Sequence, residues 1–215
     1  MKSKPPLTLQ HKIDRLQFCR ENMQRDWAKV WFSDEKRRCL DGSDCTNYYW
    51  HDIRREPILR SKRQGGGGSL MVWGGMCSCK TTTLCIINGN MDSNKYQQVL
   101  QANLLPFLEP NDLFVQDNAP VHVSRSTLEW IEEHDIETLR WPSRSPDLNP
   151  MENVWGTMVR RVYAEGKQYS TLQELKMAIL RCWQSLGTEE LNNLSNSMTG
   201  RIFDCISRKG MHVQY

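Results

Sequence analysis

The spacing of apolar residues along the chain predicts short buried strands alternating with amphipathic helices. "HKIDRLQFCRENM" sets Ile13, Leu16, Phe18 and Met23 at loosely helical intervals and predicts a leader helix within residues 1–27. "KVWFSDE" packs Val30, Trp31 and Phe32 into a run typical of a buried strand that ends in two acids. "SLMVWGGMC" and "TTLCIING" are β-like runs separated by a few polar residues, which predicts a hairpin beside that first strand. "NKYQQVLQANLLPFL" predicts a helix capped by Asn94 and ended or kinked at Pro106. A strand in "DLFVQDNAP", a helix in "SRSTLEWIEEHD" and a strand in "IETLRWP" follow.

The clearest stripe comes next. Met151, Val154, Trp155, Met158, Val159 and Val162 recur at helical spacing, directly after the turn "SPDLNP". Thr171 and Glu174 form a capping box ahead of Leu175, Ile179, Cys182 and Trp183, and two shorter helical pieces are expected to finish the chain before Gly210. The pattern is that of an α/β protein with a helical carboxyl-terminal extension. The boundaries expected are a leader at 1–27, a central domain at 28–165 and a helical extension at 166–215.

Composition changes this picture little. At 215 residues, with 39% hydrophobic residues and 8 Trp, the chain can bury one ordinary core. Eight cysteines are scattered, without a signal-peptide pattern or a second Cys/His pair at zinc spacing, so reduced thiols are expected and a metal-thiolate site is not. No apolar run approaches the roughly 18 residues a membrane helix needs, which predicts a soluble protein with no membrane partner. The net charge of +3 does not by itself point to nucleic acid. Locally, however, Arg54, Arg55, Arg60, Lys62 and Arg63 cluster in a turn-rich excursion at residues 40–68 that closes in four glycines. Such a run is either a solvated face or a phosphate-contacting one.

The candidate chemistry lies in three acids. Aspartate suits strands poorly, yet Asp34 follows "VWFS" and Asp117 follows "LFVQ". Each either opens a turn or belongs to a site. Glu152 sits in the first turn of the helix after "DLNP", where Asn149 suits the N-cap, Pro150 the first helical position and Glu152 the capping box. If the three acids converge at the carboxyl ends of the strands, their mutual repulsion calls for a divalent cation between them. Hard oxygen donors suit magnesium or manganese.

The order of "FSDE", "LMVWGG", "VQDNAPVH" and "WPSRSPDLNPMENVW" resembles the catalytic domain of mariner-superfamily DNA transposases, in their nematode Tc-type branch. The resemblance runs from about His11 to the carboxyl terminus, and 34 residues separate Asp117 from Glu152, the spacing of the glutamate-type branch. It implies a ribonuclease H-like fold: a mixed five-stranded sheet flanked by helices, with carboxyl-terminal helices. It further implies Asp34, Asp117 and Glu152 as catalytic ligands of two Mg2+ or Mn2+ ions, cleaving DNA and transferring the strand. Asn118 and His122 match the family's motif and are implied to orient water or touch phosphate, with a structural role for the histidine as the alternative. The excursion at 40–68, with its basic residues, resembles an insertion that contacts DNA and a partner subunit. Transposon ends and target DNA are the implied partners, a homodimer on DNA the implied assembly and the nucleus the implied location. Relatives carry paired helix-turn-helix modules ahead of this domain, and the sequence here starts after the place expected for them. Two other readings stay open: a catalytically silent DNA-binding derivative, and a standalone ribonuclease H-like nuclease.

Overall fold

The computed structural model of the chain describes residues 6–40, 42 and 68–214. The first helix, α1 (Leu9–Glu21), is capped by Thr8, whose side chain accepts from the His11 N–H. The sheet then begins with β1 (Val30–Cys39), β2 (Ser69–Met76) and β3 (Cys85–Ile87). Helix α2 (Ser93–Asn103) leads to β4 (Leu113–Val115), and α3 (Arg125–Glu133), α4 (Met151–Val162), α5 (Leu172–Gln184) and α6 (Thr188–Ser207) complete the chain.

The four strands are ordered β3-β2-β1-β4. β2 runs antiparallel to both of its neighbours, β1 and β3, whereas β4 runs parallel to β1 with Val30, Trp31 and Phe32 opposite Leu113, Phe114 and Val115. This is the mixed sheet expected of a ribonuclease H-like fold, but with four strands among the described residues and not five. The predicted fifth strand, "IETLRWP", meets β4 only as an isolated bridge between Phe114 and Thr138. Past the bridge, Trp141 gives its carbonyl to the Asn118 side chain and Pro142 offers no N–H, so no ladder propagates.

Strand alternation divides the core. Val30 and Phe32 face one layer with Val72 and Met76 of β2 and with Phe18, Trp155, Trp183 and Ile202, drawn from α1 and α4–α6. Trp31 faces the other with Trp73, Tyr96, Leu100, Phe114 and Ile131, drawn mainly from α2 and α3. The predicted stripe on α4 is largely buried, with Met151, Val154 and Met158 at 0% exposure. Gly74 makes one close approach possible: a Cβ there would lie 2.7 Å from the Trp183 ring, so only glycine lets α5 settle on β2.

Three local expectations are corrected. α2 is capped by Asp92, which accepts from the Lys95 N–H, and not by Asn94, which lies within the helix. β1 does not stop at its acids; it continues to Cys39 because β2 supplies partners for Glu35 through Cys39. The last two predicted helical pieces are one 20-residue helix, α6, in which the buried face of Leu191, Met198, Ile202 and Cys205 overrides the helix-weakening Gly200. Arg54, Arg55, Arg60, Lys62 and Arg63 lie outside the described residues.

Candidate active site

The β1–β4 ladder ends with Phe32 opposite Val115, and Ser33 Oγ donates to the Val115 carbonyl across the opening. Two residues past each end lie Asp34 and Asp117. The two-residue period of extended chain brings both to the place where the parallel strands part. Helix α4 delivers the third acid. Asn149 fixes where that helix starts: its Oδ1 accepts from the Met151 N–H at 3.0 Å, and its Nδ2 donates to the Ser33 carbonyl at 3.1 Å. One buried amide thus caps α4 and ties it to the strand carrying Asp34.

Asp34, Asp117 and Glu152 line a single cavity of about 470 Å³, walled also by Asn118, Trp141 and Asn149. Each acid has its own partner there. Trp155 Nε1 donates to Asp34 Oδ2 at 2.8 Å. Asp117 Oδ1 accepts from the Ala119 N–H at 2.9 Å and lies 2.7 Å from His122 Nδ1. Lys36 Nζ donates to Glu152 Oε2 at 2.7 Å. Glu152 therefore does not close a capping box; the Asn149 N–H donates to the Pro146 carbonyl, and the glutamate turns outward to the lysine. Among the described residues, no three His, Cys, Asp or Glu side chains are gathered at metal-ligating spacing. The acids share a cavity without sharing a centre.

The electrostatics separate the three acids. Burial first, then the neighbouring charges of Glu152 and Glu35, push the Asp34 carboxyl up to about 7, against the opposing Trp155 hydrogen bond. Asp117 moves the other way: the His122 hydrogen bond holds it below the usual carboxylate range despite its burial. For His122, burial disfavours charge, but the carboxylates of Asp117 and Glu35 outweigh it and raise the imidazole to about 9. His122 is only 4% exposed, stacks on Tyr96 with ring centroids 4.1 Å apart, and has Nε2 3.2 Å from Glu35 Oε1 off hydrogen-bond alignment. It is a charged clamp between two acids.

Asn118 is turned to the cavity wall, where its Nδ2 donates to the Trp141 carbonyl at 2.9 Å and to Ser143 Oγ at 3.3 Å. Sequence reasoning missed Glu35, Lys36, Asn149 as a strand tether, and Trp155 as the donor to Asp34. The alternation of Asp34, Lys36 and Arg38 along β1 was the available signal. All three side chains face α4, and Arg38 donates to the Trp155 carbonyl with its guanidinium 5.3 Å from that ring's centre.

The comparisons with known proteins bear on this geometry. Residues 29–176 match the family described as DDE superfamily endonuclease. The chain belongs to the DDE superfamily of endonucleases. Over 215 aligned residues it is 43% identical to the Tc3 transposable-element transposase of Caenorhabditis elegans, covering 98% of this chain and 65% of that protein. The chain thus spans just under two thirds of that relative's length. In fold, this DDE domain is similar to the catalytic domain of Mos1 mariner transposase, with a TM-score of 0.78 at 15% identity, covering 99% of this chain and 100% of that one. It is also similar to the mariner Mos1 paired end complex with Mg, with a TM-score of 0.84 at 16% identity, covering 100% of this chain and 66% of that one. The mixed sheet with its flanking helices is accordingly the ribonuclease H-like fold of a mariner/Tc-type DDE catalytic domain.

Proposed function

We propose that this chain is the catalytic portion of a DNA transposase, with Asp34, Asp117 and Glu152 holding two Mg2+ or Mn2+ ions at the cavity where β1 and β4 part. The observation that carries the reading is that three acids from separate parts of the chain line one cavity. The donor set fits the ions: all three acids offer hard carboxylate oxygens, and the raised Asp34 marks a place where negative charge lacks compensation. The Tc3 relative is a transposase, and one Mos1 neighbour is a paired end complex with Mg. When bound, such ions would polarise the scissile phosphate and lower the pKa of an attacking water.

The chain's own residues position and balance this chemistry. Trp155 orients Asp34, His122 holds Asp117 ionised, and Asn149 sets the distance from β1 to the first turn of α4. Strand cleavage joins a water oxygen to phosphorus and breaks the bond to the 3′ oxygen, leaving a 3′ hydroxyl. Strand transfer then joins that hydroxyl's oxygen to a target phosphorus and releases the target's own 3′ oxygen. Arg54, Arg55, Arg60, Lys62 and Arg63 supply phosphate contacts, Asn118 shapes the wall against the DNA while buried His122 acts through Asp117, and two copies assemble on transposon ends in the nucleus.

Supercoiled plasmid DNA incubated with the chain and Mn2+ or Mg2+ tests the proposal. Open circles should accumulate, and Asp117→Ala should slow their appearance at least 100-fold, in keeping with loss of a metal ligand. No nicking by the unaltered chain, or equal nicking by Asp117→Ala, overturns it.

A further inference from the structure

The face of β1 that carries Asp34 also carries Lys36, and this lysine answers a problem of charge. Asp34 and Glu152 share a cavity, and after burial itself the Glu152 charge is the next cause that raises Asp34. Lys36 lies 2.7 Å from Glu152 Oε2 and also favours the charged form of Asp34. One ammonium therefore offsets two acids. Its neighbour on the same face, Arg38, is fixed by burial at 6% exposure and by the Trp155 carbonyl, but Lys36 is not. The side chains of Lys36 and Glu152 are 34% and 37% exposed, so water reaches both and the ion pair is weak and exchangeable. A plain surface pair at such exposure would be expected to do little for stability. Its place beside the cavity gives it a different use.

We propose that Lys36 is an exchangeable counter-ion: it occupies Glu152 until a divalent cation binds, then carries its charge to a DNA phosphate at the cavity mouth. The inference rests on the metal-dependent reading given above. A divalent ion in the Glu152 shell and an ammonium on the same carboxylate repel each other, so the two cations compete for it. Once displaced, the lysine has a flexible four-carbon stem and three donors, suited to a phosphate oxygen as a point charge. The same residue thus weakens metal binding in the absence of DNA and assists the reaction in its presence.

These opposite effects are what a merely structural residue would not produce. Calorimetric titration of the intact chain with Mn2+, without DNA, is the test. Lys36→Met should bind Mn2+ about three- to tenfold more tightly than the unaltered chain, and Lys36→Arg should stay within about twofold of it. In a Glu152→Gln background, Lys36→Met should gain no affinity. At saturating Mn2+, Lys36→Met should nick supercoiled plasmid at least tenfold more slowly in kcat, and Lys36→Arg should recover most of the rate. Equal or weaker Mn2+ binding by Lys36→Met overturns the counter-ion, and an unchanged nicking rate overturns the phosphate contact. If the unaltered chain shows no saturable Mn2+ binding that Asp34→Asn diminishes, the metal-dependent reading itself fails and this one with it.

Discussion

Two carboxylates five residues apart, Asp147 and Glu152, flank the same turn and live in opposite environments. Arg15, fully buried on α1, donates from Nη1 and Nη2 to the two Asp147 oxygens at 2.9 and 2.7 Å. The Val213 N–H adds a third donor at 2.7 Å, and Arg201 on α6 donates to the Asp147 carbonyl at 3.0 Å. Burial alone would raise Asp147, but the Arg15 guanidinium overcomes it and holds the acid below the usual range. Glu152, by contrast, keeps a single half-exposed ion pair. One end of the turn is locked to both termini of the described chain, and the other is left free to change partner.

The difference shows how a short motif does two jobs. A saturated, bidentate buried pair resists exchange because removing either member strands the other's charge. A water-accessible pair exchanges readily because solvent compensates each half. The anchor also depends on backbone shape. Gly210, whose carbonyl accepts from Arg15 Nε at 2.9 Å, sits at φ +79°, and a Cβ there would lie 2.1 Å from the Lys12 carbonyl oxygen. Only glycine allows the carboxyl-terminal tail to reach the arginine.

The largest expected effect breaks the anchor. Asp147→Ala should destabilise the chain by roughly 3–5 kcal/mol in urea unfolding, because Arg15 stays buried without its partner. A loss as small as that of a surface pair would contradict the asymmetry.

A second effect comes from pH, in the absence of metal. Asp34 titrates near 7 in the fold, above its ordinary unfolded value near 3.8. The unfolded chain therefore loses this proton first, and stability falls as pH rises from about 4 to 7. His122, raised to about 9, stabilises fully below about 6.5 and loses that contribution as pH rises through 9. Both slopes have the same sign. Asp34→Asn should remove the lower one and make the chain more stable at pH 8 by on the order of 2–4 kcal/mol, while changing little at pH 4. Urea midpoints of both chains across this range check it, and parallel curves would rule out the strained carboxyl.

The smallest effect belongs to the exchangeable end. Glu152→Gln should shift unfolding stability by no more than about 1 kcal/mol, in contrast to Asp147→Ala. A large loss there would make Glu152 an anchor too.

Much of this arrangement was legible in the sequence, for identifiable reasons. α4 announced itself through a 3.6-residue stripe that follows directly on a proline-rich turn, and α5 through a capping box whose Thr171 does accept from the Glu174 N–H. Both are signals carried within a few residues of one another. The acids stood out because aspartate is misplaced after an apolar run. What escaped notice depends on partners distant in the chain. The continuation of β1 past Asp34 is decided by β2, and Arg15 looks like any helical arginine until Asp147, 132 residues away, is beside it. The predicted strand near Thr138 had the right composition, but its single bridge shows that pairing is settled by geometry at the sheet edge. Glu152 carried the capping-box spacing, and the cap was provided by Asn149 alone while Lys36 took the carboxylate.

The claim at the centre of this account is that Asp34, Asp117 and Glu152 act together on shared divalent ions. Anomalous diffraction from crystals of the chain grown with Mn2+ tests it most directly. The account predicts manganese peaks inside the cavity where β1 and β4 part, with oxygens of all three acids roughly 2 Å from metal. Peaks elsewhere, or a peak in the cavity that leaves any one of the three acids out of coordination, would contradict it.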